Sequence, residues 1–247
     1  MSAPPEVEAG TVPAKDRDYW WTVLAVDPIA LPLTRWLASG RRMTADQATL
    51  WSVAFAVPVG FAYATGTRLG LAAGALLFYL AFVFDCIDGK LARALGTISA
   101  RGQTLDEIAD AARRVSAAGG LAVYLWRVSP GPGFWLAVVY LALAFFFAQV
   151  SGGTRGEPQT GIGGRWSSAL ARRRLLPTPG TPDVGAIVFV FGPLTGLVAP
   201  ALVIGDVLLA VAILLVLRRL LRADRASGRD EQTGRREVKD GTDAAMP

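Results

Sequence analysis

The chain contains no histidine and a single cysteine, Cys86, in 247 residues. The first absence excludes imidazole metal ligands, histidine general bases and nucleophiles activated by a Ser-His or Cys-His pair. The second excludes an internal disulfide and a thiolate metal cluster, and Cys86 itself reads as a small core residue. Charge is also scarce, at 18% of residues, and no lysine and arginine stripe interleaved with aromatics marks a nucleic-acid surface. No nucleic-acid partner is expected. The opening stretch MSAPPEVEAGTVPAKDRD is proline-rich and has no apolar run, so it does not read as a signal peptide.

What the chain has in excess is apolar length. Hydrophobic residues make up 52% of it, the mean hydropathy is +0.39, and several runs are long enough to span a bilayer. The expected fold class is all-α: a polytopic membrane protein with six transmembrane helices and an N-terminal interfacial amphipathic helix. Residues 1–18 are expected to be disordered, residues 19–40 to lie in the interface plane, and the spans to occupy 47–222. A solvated, disordered tail is expected over 223–247. In the interfacial stretch Ile29, Leu33, Trp36 and Leu37 share one helical face, although Pro28 and Pro32 disturb its first turn. The spans begin near Gln47, Leu69, Gln103 and Phe134, and the apolar block from Val184 to Leu217 divides near Ala199-Pro200.

Charge placement gives the orientation. Arg41 and Arg42 precede the first span, Lys90, Arg93 and Arg101 lie between the second and third, and Arg155, Arg165 and Arg172 to Arg174 lie between the fourth and fifth. Positive residues favour the cytoplasm, so both termini and these loops are expected there, in a cell-membrane protein surrounded by lipid. The long loop carrying Arg155 also reads as holding one short surface helix, Ser167 to Leu175.

Against this apolar background the 26 residues from Asp85 to Asp110 stand out. Asp85 and Asp88 are three apart, and Asp106 and Asp110 are four apart, so on helices each pair shares a face. A carboxylate at mid-membrane costs about 2.5–3.5 kcal/mol on insertion scales. A pair 4 Å apart repels by about 4 kcal/mol at an effective dielectric of 20. Lys90 and Arg93 offset only part of this charge. Hard divalent cations offset more of it, and an all-oxygen donor set favours Mg²⁺ or Mn²⁺ over zinc. Cations so held commonly act on phosphate. Gly89 and Ala92 leave backbone bare for close approach, or for tight helix packing. Arg93 has the fixed fork of donors that suits phosphate oxygens.

The pattern Asp85-x2-Asp88-Gly89-x2-Ala92-Arg93-x8-Gly102-x3-Asp106-x3-Asp110 resembles the full signature of the CDP-alcohol phosphotransferase family, at all eight fixed positions. The resemblance covers about residues 19–222. The segment MTADQAT over 43–49 is similar to the family's Thr-Pro-Asn entry to span one, with Ala45 and Asp46 departing from it. The resemblance implies a metal-dependent transferase of phospholipid biosynthesis. It moves a substituted phosphate from a CDP-linked donor, CDP-diacylglycerol or a soluble CDP-polyol, to an alcohol acceptor and releases CMP. It further implies that Asp85, Asp88, Asp106 and Asp110 hold two ions, with Asp110 also the general base. Asp85, Asp88, Gly89, Ala92, Arg93 and Gly102 are then nucleotide-binding, with Arg93 on the donor diphosphate, and homodimers are common. Arg113, three residues beyond Asp110, and Arg155 are candidate acceptor-binding residues. An intramembrane prenyltransferase would need its acidic motifs far apart in sequence. A transporter or structural membrane protein is the non-enzymatic alternative.

Overall fold

The computed structural model describes residues 15–152, 170, 172–176 and 180–243. Arg155, Arg165, residues 1–14 and residues 167–169 and 171 of the expected surface helix lie outside them. Among the described residues seven helices follow one another: α1 (Asp27–Ser39), α2 (Ala45–Ala64), α3 (Arg68–Ala94), α4 (Ala100–Val128), α5 (Phe134–Gly152), α6 (Thr181–Thr195) and α7 (Val198–Asp243). A π-helical turn over Thr22–Val26 leads into α1, and another, Ile187–Phe191, lies inside α6. The one extended pairing among the described residues is an isolated bridge between Asp18 and Leu175.

Local chemistry sets the starts of the three helices around the acid stretch. Thr44 and Gln47 form a reciprocal capping box at α2, with bonds of 3.2 Å and 3.0 Å. Thr67 Oγ1 accepts from the Gly70 amide at α3, and Ser99 Oγ accepts from the Gly102 amide at α4. Gly102, a signature position, thus sits in the capped first turn of α4. Between α3 and α4 the chain turns at Gly96, whose φ of 64° favours glycine.

Among the described residues α2, α3, α5 and α7 as far as Arg218 are long and apolar enough to cross a membrane. Of the six expected spans, length and composition therefore mark four. The third expected span, α4, is 29 residues long, but its first half carries Arg101, Asp106, Glu107, Asp110, Arg113 and Arg114. The fifth, α6, is shorter. The break between α6 and α7 also falls earlier than expected, at Gly196, with φ 76°. Pro200 lies instead in the first turn of α7, where its missing N–H has no intrahelical partner to lose. At the other end α7 continues in helical backbone to Asp243, past residue 222 where the sequence reading ends the membrane domain. Its Arg, Glu, Gln and Lys are good helix formers, and this outweighs the polarity that reads as disorder.

The expected face of α1 is divided. Leu37 is buried with Ala30 and Thr34, whereas Ile29 and Trp36 are exposed. Exposed Leu50, Val57 and Phe61 on α2 and Val203, Val207 and Val211 on α7 form the apolar exterior that lipid requires.

Packing centres on α2. It makes extensive contact with both α3 and α4, while α3 and α4 touch each other little. Two glycines allow the α2–α4 crossing: a Cβ on Gly120 would stand 2.5 Å from the Gly60 carbonyl oxygen. Ser116 Oγ locks the crossing, donating to the Val57 carbonyl at 2.9 Å and accepting from the Gly60 amide at 3.0 Å. On the other side of α2 the buried Tyr63 hydroxyl donates to the Phe189 carbonyl within the π-helical turn of α6. Tyr63, Leu71, Phe78, Leu121, Tyr140, Phe189 and Leu202 belong to one buried core that joins α2 through α7.

Gly120→Ala is expected to force the α2–α4 crossing apart and to cost about 1–3 kcal/mol. Thermal unfolding of detergent-solubilised protein should show a lowered midpoint. Gly119→Ala is the control, since a Cβ there meets nothing within 4 Å, and its midpoint should hold or rise.

Candidate active site

The last turns of α3 place Asp85, Asp88, Gly89, Ala92 and Arg93 three or four residues apart, along one face. The first half of α4 does the same for Asp106, Asp110, Arg113 and Arg114. Because α2 holds the two helices apart, these faces look across a cavity of about 310 Å³. Asp85, Asp88, Gly89, Arg93, Asp106 and Asp110 all line it. Of the eight signature positions, Ala92 and Gly102 are not among its lining residues. Ala92 is half-buried next to the wall, and Gly102 is half-buried in the α4 cap.

Each acid has a different neighbourhood. Asp88 is buried and its Oδ2 accepts from Thr49 Oγ1 at 2.6 Å. Asp85 Oδ1 lies 3.2 Å from Arg113 Nη1. Asp110 accepts from Arg113 Nη2 through Oδ1, and its Oδ2 lies 3.3 Å from Arg114 Nη1. Asp106 is exposed at the mouth. Arg113 itself is 4% exposed, and its guanidinium carbon stands 5.0 Å from the centre of the Phe82 ring and 5.8 Å from that of Phe78. The structure therefore puts Arg113 on two signature aspartates.

A second buried charge group fixes the frame. Lys90, which shares the cavity lining with the acids, lies 3.1 Å from Asp27 Oδ1 of α1, and both are nearly fully buried. Arg174 Nη1 lies 3.2 Å from Asp27 Oδ2. Arg174 also donates to the Lys15 carbonyl through Nε and Nη2. The Asp18 amide donates to the Arg174 carbonyl, and the Leu176 amide to the Asp18 carbonyl. Residues 15–18 are therefore ordered against 174–176, contrary to the disorder expected up to residue 18. They contribute Lys15 and Asp18 to the cavity wall. Beside that wall, Asp183 accepts from the Trp21 amide at 2.6 Å and the Gly180 amide at 2.7 Å.

Thr49, Asp27 and Asp183 were not singled out by sequence reasoning. Thr49 sits in the 43–49 segment, where only its neighbours drew notice. Nothing local in the sequence marks Asp27 or Asp183, whose partners are distant in the chain.

The donor set fits a hard divalent cation: four carboxylates on one cavity, with no histidine, beside a single thiol, Cys86. Yet among the described residues no three acids converge closely enough to hold an ion together. Arg113 engages two of the four and Thr49 a third.

A family model for CDP-alcohol phosphatidyltransferase matches residues 42–216. The fold is similar to that of phosphatidylinositol phosphate synthase from Mycobacterium tuberculosis in three crystal structures. With CDP-DAG bound, that protein is 21% identical at a TM-score of 0.56, over 78% of this chain and 92% of that one. The apo form is 20% identical at 0.55, over 76% and 93%. The complex with manganese and citrate is 22% identical at 0.52, over 78% and 87%. No curated protein matches the chain. With the signature's six polar-facing positions gathered on one cavity and the family model covering most of the sequence, the chain belongs to the CDP-alcohol phosphatidyltransferase family.

Proposed function

We propose that the protein transfers a phosphatidyl group from CDP-diacylglycerol to the hydroxyl of an alcohol, releasing CMP, in phospholipid synthesis. The observation that carries this reading is the meeting of Asp85, Asp88, Asp106, Asp110 and Arg93, from two helices, on one cavity. The similar synthase was crystallised with CDP-DAG in one case and manganese in another. Both facts suit a cavity that offers oxygen ligands and a guanidinium side by side.

In this reading Asp85, Asp88, Asp106 and Asp110 are the residues that would hold Mg²⁺ or Mn²⁺. A divalent ion bound there supplies charge neutralisation for the donor diphosphate. Arg93 binds diphosphate oxygens through its paired donors. Gly89 leaves bare backbone beside Arg93, whose guanidinium stands 3.5 Å from where a Cβ would be. Thr49 orients Asp88 by its hydrogen bond. Arg113 and Arg114 orient Asp110 from the side away from the mouth.

Asp110 takes the proton of the acceptor hydroxyl. The hydroxyl oxygen forms a bond to the phosphorus that bears diacylglycerol. The bond from that phosphorus to the bridging oxygen breaks, and CMP leaves with that oxygen. No covalent enzyme intermediate is needed, in keeping with the lack of histidine and of any cysteine other than Cys86.

The membrane setting follows from the same charges. We infer six crossings, with α4 and α6 supplying the two beyond the four apolar spans, and with both termini and the cavity mouth cytoplasmic. The support is the run of Arg41, Arg42, Lys90, Arg93, Arg101 and Arg172 to Arg174 on alternate connections.

Two measurements test the chemistry. In a CMP-release assay with CDP-diacylglycerol and a panel of alcohols, Asp110→Asn should lower turnover by about 10²–10⁴-fold while CDP-diacylglycerol still binds. Full activity in that variant would refute its role as base. Thorough chelation should abolish CMP release, and added Mg²⁺ or Mn²⁺ should restore it; activity that survives chelation rules out the metal.

A further inference from the structure

Part of the cavity lining lies ahead of the family-matched residues 42–216, so the signature says nothing about it. Lys15, Asp18, Tyr19, Trp21 and Thr22 supply it. Separate anchors seat this segment. The Asp18 amide donates to the Arg174 carbonyl at 2.8 Å, and the Leu176 amide donates to the Asp18 carbonyl at 3.0 Å. A Cβ on Gly180 would stand 2.0 Å from the Tyr19 ring, so the ring lies against bare backbone. Asp183 accepts from the Trp21 amide. Arg174 has a φ of 59°, a left-handed conformation that a non-glycine residue keeps only where its surroundings impose it. From there its guanidinium reaches both Asp27 Oδ2 and the Lys15 carbonyl. The Lys15 backbone is thereby fixed to a buried carboxylate.

The Lys15 side chain is exposed, and its ammonium is within electrostatic reach of Asp106 at the mouth. Other cations of the lining are already engaged. Lys90 pairs with Asp27, Arg113 with Asp85 and Asp110, and Arg114 with Asp110. Lys15 has no ion-pair partner among the described residues.

Position decides which substrate this charge meets. Arg93 shares α3 with Asp85 and Asp88, so the donor diphosphate is read onto α3. In-line displacement brings the hydroxyl to phosphorus from the side opposite the departing CMP. That is the side of α4, where Asp110 takes the proton. Asp106 is about one helical turn from Asp110, and the Lys15 charge acts there.

We propose that Lys15 binds a phosphate group carried by the acceptor, so that the preferred acceptor is a phosphorylated alcohol and not a neutral one. The proposal rests on the reading of the cavity as a CDP-diacylglycerol-dependent transferase site, and names the acceptor class for it. An ammonium is a compact point charge on a flexible stem with rotatable donors. It can follow the acceptor's phosphate while the hydroxyl settles on Asp110.

The test sets matched acceptors against each other in the CMP-release assay, with CDP-diacylglycerol as donor. Glycerol is compared with glycerol phosphate, and inositol with inositol phosphate. The wild type should favour the phosphorylated member of at least one pair. Lys15→Gln should raise KM for that acceptor about tenfold and leave KM for CDP-diacylglycerol unchanged, and Lys15→Arg should recover most of the loss. Arg174 holds Lys15 by its carbonyl, so both variants keep the segment in place. A rise in KM for CDP-diacylglycerol alone would put Lys15 on the donor and overturn the proposal. An unaltered acceptor KM would overturn it too, as would a wild type that uses only unphosphorylated alcohols. In each of those cases CMP is still released and the transferase reading stands. A wild type that releases no CMP with any acceptor would overturn both readings together.

Discussion

Negative charge cannot be gathered on two neighbouring helices in an apolar body unless positive charge is gathered with it. At an effective dielectric of 20, one pair of carboxylates at 4 Å repels by about 4 kcal/mol, and the signature requires four. The structure meets this with Arg113 and Arg114 from within α4 itself, three and four residues beyond Asp110, about one helical turn away. The acids and their counter-charges are thus coded on the same short piece of helix. The spacing of α3 and α4 is set by how that electrostatic group closes.

Sterics supply the second constraint. The α2–α4 crossing is a backbone contact between glycines, which leaves no side chain to adjust the distance. Since α3 also packs on α2 rather than on α4, the gap between the acid-bearing faces is determined by a helix that contributes only Thr49 to them. The cavity is therefore a by-product of where two helices are fastened to a third.

Much of this was legible in the sequence because it is local. Apolar run length identified α2, α3, α5 and α7, the aspartate spacing identified the cavity faces, and Thr44 marked the start of α2. What escaped is what depends on distant partners. Thr49 meets Asp88 from 39 residues away and Asp183 meets Trp21 from 162 away, and no periodicity records such pairs. The boundary between α6 and α7 was misplaced because Pro200 was read as a breaker. Proline is tolerated in a first turn, and the interruption belongs to Gly196, where the backbone turns left-handed. The N-terminal segment looked disordered since its polar residues have no hydrophobic face. Its residues 15–18 are held by hydrogen bonds to residues 174–176 instead.

Asp27 ties three parts of the molecule to one carboxylate: α1, α3 through Lys90, and the segment before α6 through Arg174. A buried ion pair adds little net stability, since desolvation offsets attraction, so its effect is mainly one of placement. It is also beyond the reach of mobile ions, whereas exposed arginines at the headgroup level are screened within about 8 Å at physiological ionic strength. Rising salt therefore loosens the hold of anionic lipid on the outer arginines and leaves the Asp27–Lys90 tie intact. The protein's grip on its bilayer and the alignment of its reacting helix answer to different environments.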